Sequence, residues 1–458
     1  MSENQKKLPK HPWKVAIAGE LMAMLPFSMY KEPEFLEIKK KLDAADFCYG
    51  HLETNFGDFN KVVPARAVTG GSHLLADPEL AKEYKWLGID IVSLAHNHAG
   101  DWGGALAVQT RDVCREAGIP GAGVGQDLYE SREPCYMQIE QGRVSLVSSS
   151  SGNPGQEWAN LNLGSMPTRP GINPQRMKMR YLLPENVYET FREAGKALKV
   201  LREDKETGEF NFNRPIPQDF RACVFAKGDD YGIDSACHKG DLEGNMFAIQ
   251  EARKMSDFVM SAQHCQPSEG VRGELPTQFV IEYAHASIDN GADMYLGHGW
   301  HKMLGIEIYK GKPIFYGLGD FFYQSQFIRR VPLDGYEGFG HDISDHTKLR
   351  PHLEPLHSNS GTEVRADRAD WWMSCLIEAN YDEEGNVKTM DFYPLELGVD
   401  FSDPANPQIT RTVGDLIEGR PYLAKGATAR FILETLARRS EPFGTKITID
   451  GDVGHWEA

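Results

Sequence analysis

The sequence predicts an α/β fold, because buried strands alternate with amphipathic helices along much of the chain. Residues 89–95 form a nearly continuous apolar run, rich in β-branched side chains and followed at once by polar residues, as in a strand buried in a parallel sheet. Residues 103–117 then carry apolar side chains at helical spacing up to Gly118. A strand followed by such a helix indicates a βαβ layout.

The elements before this unit fit the same pattern. The apolar run 15–18 predicts a strand that ends at Gly19-Glu20, and residues 45–49 lead into His51-Leu52-Glu53. Helical spacing of apolar residues predicts helices over 35–42 and 78–86.

The pattern resumes in the second half of the chain. We expect helices over about 245–254, 278–290 and 427–438, and strands over 257–262, 293–296, 373–381 and 387–394. Residues 304–309 and 313–316 predict a hairpin, joined by Lys310-Gly311-Lys312.

Two segments break the pattern. Residues from 152 to about 240 are rich in proline, and residues 329–370 are charged and irregular. At 458 residues, the chain favours one large catalytic domain with insertions, or two closely packed domains. We therefore divide it into a first catalytic half (1–150), an insertion or lid over the site (151–244), a second catalytic half (245–328), and an irregular segment with closing strands and a C-terminal helix (329–458). A surface excursion without a role is the alternative for the insertion.

Composition excludes several classes of protein. The net charge of −17 argues against general affinity for nucleic acid or an anionic membrane. The first residues lack the apolar region of a signal peptide, and no run approaches the roughly 20 apolar residues of a membrane span. Seven cysteines without a CxxC pair indicate reduced thiols. We expect a cytoplasmic protein with a small-molecule substrate, which could form a homo-oligomer.

Metal-ligand residue types follow five separate apolar strands. They are Glu20; His51 with Glu53; His96, Asn97 and His98; His264; and His298 with His301. Because the carboxyl ends of strands in an open α/β sheet share one crevice, these residues can form one site. A single histidine after a strand is weak evidence, but five such clusters together indicate a metal centre.

The residue types predict which ions would bind. Carboxylate, amide and imidazole ligands without paired thiolates suit Mn, Fe, Zn or Mg. Two divalent ions roughly 3.5–4 Å apart can share a carboxylate and a water. Glu53 is the candidate bridge.

The order of these motifs resembles the poly-γ-glutamate capsule-synthesis (CapA-like) family, which is related to the calcineurin-like metallophosphoesterases. The resemblance covers roughly residues 13–150 and 245–325, with a weaker echo in the last strand pair and at 443–445. The motifs are Gly19-Glu20, HLE at 51–53, HNHAGDWG at 96–103, GAGVG at 121–125, His264 with Glu269, GADMYLGHGWH at 291–301 and IEIYKGKPIFYGLGDFF at 306–322.

The resemblance implies a metallophosphoesterase-like α/β/β/α sandwich with insertions and a pair of metal ions at one edge. By similarity, Glu20 and His301 hold the first metal, Glu53 bridges, and the second metal is held by Asn97, His264 and His298. His98 would be the general acid or a transition-state stabiliser, oriented by Asp101.

Several positions depart from the family pattern. Glu20 stands where the family usually has Asp, His51 and His96 where it has Asn, Gly299-Trp300 where it has His-Pro, and Asp320 where it has Asn. His51 and His96 are additional ligands or line the substrate pocket, and Glu269 and Asp320 are further candidates. Trp300 is either a flat wall near the metals or a plug at the sheet edge.

The leading functional prediction is a dinuclear hydrolase, in which metal-bound hydroxide attacks an amide, lactam or related carboxyl derivative of a small molecule or a γ-glutamyl-type substrate. One alternative is a phosphoesterase, which needs cations near the metals, such as Arg329 and Arg330 or the stretch 176–180. The other is a non-catalytic member that binds a ligand, an alternative that Glu20 and Asp320 favour.

Overall fold

Two large β-sheets form the centre of the molecule, and the prediction of a mixed α/β fold is confirmed. A computed structural model describes residues 12–65, 73–162, 164–213, 224–269 (without the side chains of 268 and 269), 273–328, 332 and 362–458. The larger sheet runs in the order Thr448–Asp450, Val453–Glu457, Val387–Glu396, Met373–Tyr381, Trp13–Met22, Phe47–His51, Ile91–Ser93 and Gly121–Ala122, with Asp320–Tyr323 also paired to Trp13–Met22 and Tyr422–Leu423 to Val387–Glu396.

The smaller sheet has six strands and carries two of the predicted histidine clusters. Its order is Ile306–Tyr309, Lys312–Phe315, Met294–His298, Phe258–His264, Gly142–Ser150 and Cys135–Ile139. One hydrophobic core contains side chains from both sheets, with Trp13 and Phe47 of the larger sheet packed against Phe258 of the smaller one. The two sheets therefore share one interior.

Helices cover the outer faces of the sheets. The described helices are Pro33–Asp43, Leu80–Leu87, Gly104–Glu116, Leu128–Arg132, Glu185–Ala197, Lys239–Met255, Gln278–Asp289 and Gly426–Ser440, with single 3₁₀ turns at Gly155–Glu157, Ser325–Phe327, Ala369–Trp372 and Glu441–Phe443. The apolar sides of Lys239–Met255 and Gln278–Asp289 form a second core with the smaller sheet. Within the described ranges, no helix is long and apolar enough to cross a membrane.

The segment 151–244 has more regular structure than its proline content suggested. It contains a five-stranded sheet of its own, in the order Leu201–Glu203, Phe210–Phe212, Val224–Lys227, Met177–Leu183 and Gly232–Cys237. This sheet is attached to the helix Gln278–Asp289, since the backbone N–H of Cys237 donates to Glu282 and the Ser235 hydroxyl accepts from the backbone N–H of Phe279. The division into four segments, and the lid, stay predictions.

Five two-stranded pairs complete the described strands. They are Asn55–Phe56 with Leu75–Ala76, Val124–Gly125 with Gly171–Ile172, Ser268–Glu269 with Leu275–Pro276, Val399–Asp400 with Gln408–Ile409, and Thr412–Val413 with Leu416–Ile417.

The first strand was predicted to end at Glu20 but continues to Met22. It continues because residues 20–22 gain a new partner, the parallel strand Asp320–Tyr323, in which Asp320 is opposite Glu20. The backbones come so close here that a Cβ at Gly19 would lie 2.0 Å from the carbonyl oxygen of Gly319. Only glycine fits at this crossing, which places Glu20 beside Asp320.

Candidate metal centre

Strand register brings the predicted residues to one edge of both sheets. In the larger sheet, Glu20 is opposite His51 on one side and Asp320 on the other. In the smaller sheet, His264 and His298 are opposite each other at the ends of their strands. The side chains form two groups around Glu53, which we call the carboxylate half (Glu20, Asp320 and His301) and the imidazole half (His51, His264 and His298).

The carboxylate half is a buried cluster around one imidazole. Nδ1 of His301 lies 3.1 Å from Oε2 of Glu20 and 3.0 Å from Oδ1 of Asp320. Both carboxylates are buried, and the backbone N–H of Gly299 donates to Oε1 of Glu20 at 2.7 Å. His301 has a left-handed backbone with φ of 53°, which is strained for a residue with a side chain. The fold holds His301 between two acids despite this cost.

Charges in this half are balanced within the cluster. Burial opposes protonation of His301, but Asp320, Glu20 and Glu53 outweigh it and raise the pKa of His301 well above its usual value. Burial would raise the pKa of Glu20, but the charge of His301 prevails and holds it well below its usual range. Burial raises the pKa of Asp320 to about 7, against the effect of His301. Protonated His301 is therefore the cation of this cluster, and it has to give up its proton when it binds a metal ion.

The imidazole half is held by a chain of side-chain hydrogen bonds. Nε2 of His298 is 2.8 Å from the hydroxyl of Tyr49, which is 2.6 Å from the hydroxyl of Ser93. Ser93 contacts Nδ1 of His51 at 2.6 Å, and Nε2 of His51 lies 2.9 Å from Nδ1 of His264. These hydrogen bonds occupy Nε2 of His298 and Nδ1 of His264. The other ring nitrogens, Nδ1 of His298 and Nε2 of His264, are left for the centre.

Burial keeps these three histidines neutral. It lowers the pKa of His264 to about 3 and that of His298 to about 4. Burial, together with the neighbouring His298 and His264, also lowers the pKa of His51 well below its usual value. A histidine must be neutral to bind a metal, so the group is in the correct protonation state at pH 7.

His51 supports the centre from behind His264. One atom from each of His51, Glu53 and His264 lies within 4.8 Å of the others, so the three side chains are close enough to share an ion. Both nitrogens of His51 already take part in hydrogen bonds, however. We therefore interpret His51 as the residue that orients His264, because metal-binding histidines are commonly held through their other ring nitrogen.

Glu53 lies between the halves, with one oxygen toward each. Its Oε1 is 3.9 Å from Nε2 of His264, and its Oε2 is 3.9 Å from Nδ1 of His301. These separations are too long for hydrogen bonds. Burial and the charge of Glu20 raise the pKa of Glu53 well above its usual value. This is the placement that the bridging prediction requires.

Buried polar atoms test whether this arrangement suits metal ions. Buried polar atoms are almost always hydrogen-bonded, so unsatisfied ones call for an explanation. Five buried atoms at the centre meet no hydrogen-bond partner within the described ranges; they are Oε1 and Oε2 of Glu53, Nε2 of His264, Nδ1 of His298 and Oδ2 of Asp320. All five are ligand types for divalent ions, so the residues fit a metal site.

His98 is held by Asp101, as the resemblance implied. Nδ1 of His98 lies 2.8 Å from Oδ2 of Asp101, which also accepts from the backbone N–H of Leu74 at 2.9 Å. Asn55 fixes the same turn by donating to the carbonyl oxygen of His98 at 2.7 Å. These contacts fix the orientation of the His98 ring through Nδ1 and through its backbone.

A residue that sequence reasoning missed holds the loop of His96 and Asn97. The side-chain amide of Asn153 donates to the carbonyl oxygens of His96 and Asn97, at 3.1 and 3.4 Å, and to Oε2 of Glu157 at 2.8 Å. Asn153 follows the strand Gly142–Ser150 just as the predicted ligands follow theirs. Its position was therefore a usable signal, but Asn and Ser after this strand were not treated as site residues.

The remaining candidates differ in how they relate to the centre. The buried His96 ring lies 5.9 Å from the His51 ring and 6.3 Å from the His264 ring, measured between centroids. His51 and His96, the two histidines that replace the family's usual Asn, are therefore neighbours. Trp300 packs in the second hydrophobic core and donates to the carbonyl oxygen of Pro267, which favours the plug over the wall. The side chain of Glu269 lies outside the described part of the chain.

The arginines considered for phosphate binding are engaged elsewhere. Arg176 pairs with Asp241 at 2.7 Å, and Arg180 pairs with Glu209 and Asp234. Arg329 and Arg330 lie outside the described residues. The cations that a phosphoesterase would need are therefore not supplied by the stretch 176–180.

Comparison with known proteins gives matches over most of the chain. A family model described as bacterial capsule synthesis protein PGA_cap matches residues 14–325. The uncharacterized protein y4sH of Sinorhizobium fredii is 30% identical over 442 residues, which cover 95% of this chain and 91% of that protein. A probable polyglutamine synthesis accessory protein of Mycobacterium tuberculosis is 25% identical over 67% of this chain and 60% of its own length.

Two further matches are shorter or more remote. The PGA biosynthesis protein CapA of Bacillus subtilis is 35% identical over 81 residues, 18% of this chain and 20% of that protein. A crystal structure of a hypothetical protein from Thermus thermophilus covers 84% of this chain and 99% of that chain at 12% identity, with a TM-score of 0.33. That likeness is too distant to argue from.

Proposed function

Because the chain belongs to the bacterial capsule synthesis protein family PGA_cap, we propose that it is a hydrolase with two divalent metal ions, which cleaves an amide, lactam or related carboxyl-derivative bond. Two relatives are named for the synthesis of polyglutamine or PGA. Those names support a γ-glutamyl-type substrate, whose characteristic bond is an amide.

The layered fold is consistent with this proposal. The proposal includes the α/β/β/α sandwich that the resemblance implies, and two sheets with a shared interior and packed helices support it. In such folds, chemistry is set by the residues at the strand ends and not by the fold alone.

The observation that carries the proposal is the position of Glu53 between two groups of metal-binding side chains. One atom from each of Glu20, His301 and Asp320 lies within 4.8 Å of the others, and a second such group contains His264 and Glu53. Each oxygen of Glu53 faces one group. A shared carboxylate of this kind is the usual feature of a two-metal hydrolytic site.

The residues divide the work. Glu20, His301 and Asp320 would hold the first ion, Glu53 both, and Asn97, His264 and His298 the second. When bound, two such ions supply a water of lowered pKa and a Lewis acid that polarises the scissile carbonyl. His98, fixed through Nδ1 by Asp101, would then donate a proton from Nε2 to the leaving nitrogen.

The two alternatives are favoured less. For a phosphoesterase, Arg176 and Arg180 do not supply the cation near the metals, because both are paired, so that alternative depends on cations elsewhere. A non-catalytic role was suggested by Glu20 and Asp320, yet both lie in the group around His301, where their carboxylates suit a divalent ion. The unusual residues therefore favour a changed metal site over a lost one.

The test combines metal content with a substrate panel. Purified protein is analysed for bound metals, then assayed with γ-glutamyl amides, lactams and phosphoesters after loading with Mn²⁺ or Zn²⁺. We expect close to two metals per chain and metal-dependent cleavage of an amide or lactam. Fewer than about one metal per chain would indicate a non-catalytic protein, and turnover of phosphoesters alone would replace the amide proposal.

A further inference from the structure

An aromatic pair covers the carboxylate half on its outer side. The ring of Trp371 lies 4.8 Å from the ring of His301, measured between centroids, and 5.3 Å from that of Tyr323. Tyr323 is buried, whereas Trp371 is partly exposed. Trp371 therefore lies near a predicted metal ligand and is also partly in contact with solvent.

Arg368 lies over this tryptophan. Its guanidinium carbon is 4.5 Å from the centre of the Trp371 ring, a cation–π contact. The positive charge is thus one aromatic ring away from His301. Arg368 is partly exposed, so a small molecule in solution can reach it.

The acids that flank Arg368 in sequence are already paired. Asp367 is bound by Arg365, and Asp370 is bound by Arg439. Among the residues that the structure describes, the Arg368 guanidinium has no ion pair of its own. It therefore keeps its capacity to bind an oxyanion with two parallel hydrogen bonds.

The positive charge of Arg368 differs in sign from the net charge of the protein, which is acidic overall. With a net charge of −17, the chain repels anions in general. An anionic substrate must therefore be held by a local cation, and Arg368 is placed for this next to the carboxylate half.

We propose that Arg368 and Trp371 form an oxyanion-binding subsite beside the metal centre. The substrate would carry a carboxylate or a phosphate a few bonds from the bond that is cleaved, with the intervening atoms against the exposed edge of Trp371. The position of the cleaved bond rests on the proposed function, but the affinity of the subsite for an oxyanion does not.

The test is isothermal titration of the metal-loaded protein with three small probes. Glutaramate has one carboxylate and one amide, glutaramide has two amides and no charge, and methyl phosphate supplies the other oxyanion. We expect the wild type to prefer glutaramate to glutaramide, and Arg368→Ala to bind glutaramate roughly tenfold to hundredfold more weakly, the usual effect of losing a charged hydrogen bond. Affinity for glutaramide should not change.

Two further variants make the result specific. Arg430→Ala removes an exposed arginine of the helix Gly426–Ser440, paired there with Glu434, and should bind like the wild type. Arg368→Lys keeps the charge without the planar pair of donors and should recover only part of the affinity. If Arg368→Ala weakens only methyl phosphate, the oxyanion is a phosphate.

Equal binding of both oxyanions by the wild type and Arg368→Ala would overturn the subsite. Equal binding of glutaramate, methyl phosphate and glutaramide by the wild type would overturn it as well. Failure to hydrolyse any amide would instead count against the proposed function, and it would leave the Arg368-dependent difference in affinity in place.

Discussion

The two halves of the candidate metal centre accommodate buried ionisable side chains in opposite ways. The carboxylate half gathers Glu20 and Asp320 around His301, whose pKa they raise, so that charge balances charge within the cluster. The imidazole half has neutral histidines, which burial keeps unprotonated. Ionic attraction holds the carboxylate half together despite the strained backbone of His301. A chain of hydrogen bonds through Tyr49 and Ser93 holds the imidazole half.

This difference predicts that the halves prefer different metals. Carboxylate oxygens suit harder ions such as Mn²⁺ or Mg²⁺, whereas imidazole suits Zn²⁺ or Fe²⁺. The departures from the family pattern strengthen the contrast, since Asp320 adds a carboxylate to one half and His51 and His96 add imidazoles around the other. We therefore expect a mixed pair of ions.

The largest effect is expected where the halves meet. Glu53→Gln removes the shared negative charge while keeping the size of the side chain. We expect loss of both ions and a fall in turnover well beyond the roughly 10–100-fold effect of a residue that only supports a ligand. Metal analysis and turnover of the same preparation measure this.

Thermal melting separates this loss from misfolding. In chelator, Glu53→Gln should melt no lower than the wild type, because a buried carboxylate without a partner is costly. Added metal should stabilise only the wild type, since an ion that binds the folded state raises its stability. A variant that keeps two ions and full turnover would exclude Glu53 as the bridge.

The second prediction spares both halves and removes the proton donor. His98→Ala should lower turnover by roughly 10²–10⁴ while the protein retains its metals. Asp101→Asn should act in the same direction by a smaller factor, because it leaves the imidazole in place but changes its orientation. If His98→Ala loses an ion, His98 is itself a ligand and the assignment is wrong.

The third prediction loosens only the loop of His96 and Asn97, beside the imidazole half. Asn153→Ala frees the carbonyl oxygens of His96 and Asn97, so the second ion should bind roughly 10–100-fold more weakly. Affinity for the first ion should not change. Asn160→Ala, an exposed asparagine of the same segment, is the matched control. Equal loss of both ions would show that the halves are not independent.

The smallest effect is expected for His51→Asn, which restores the usual residue of the family. If His51 only orients His264, the second ion should still bind, with affinity reduced by about tenfold. His455→Asn, a surface histidine paired with Asp391, is the control. Complete loss of the second ion would show that His51 is a ligand.

The sequence was sufficient to predict most strands and helices of the two large sheets. The helix predicted over 278–290 is Gln278–Asp289, and the strand pair predicted at 373–381 and 387–394 is Met373–Tyr381 with Val387–Glu396. These elements have strong periodicity and clear ends. The sheet within 151–244 was missed because its prolines mask short, half-exposed strands that alternate weakly.

The candidate site was predictable only where residue type and strand position coincide. Glu53, His264 and His298 lie at or just after the ends of buried strands, where a polar ligand-type side chain indicates a site. Tyr49 could not be assigned, because its role depends on hydrogen bonds to Ser93 and His298, which are distant in sequence. Asn153 could have been considered, because it follows a strand as the predicted ligands do. The contact between Trp371 and His301 joins positions that are far apart in the chain, and no local pattern predicts it.

The most direct test of the two unequal halves is X-ray diffraction at the absorption edges of manganese and zinc, from crystals grown with both ions. We predict two anomalous peaks per chain, with zinc beside His264 and His298 and manganese beside Glu20 and Asp320. A single peak or none would contradict the two-metal centre, and the reverse placement of the two metals would contradict the contrast between its halves.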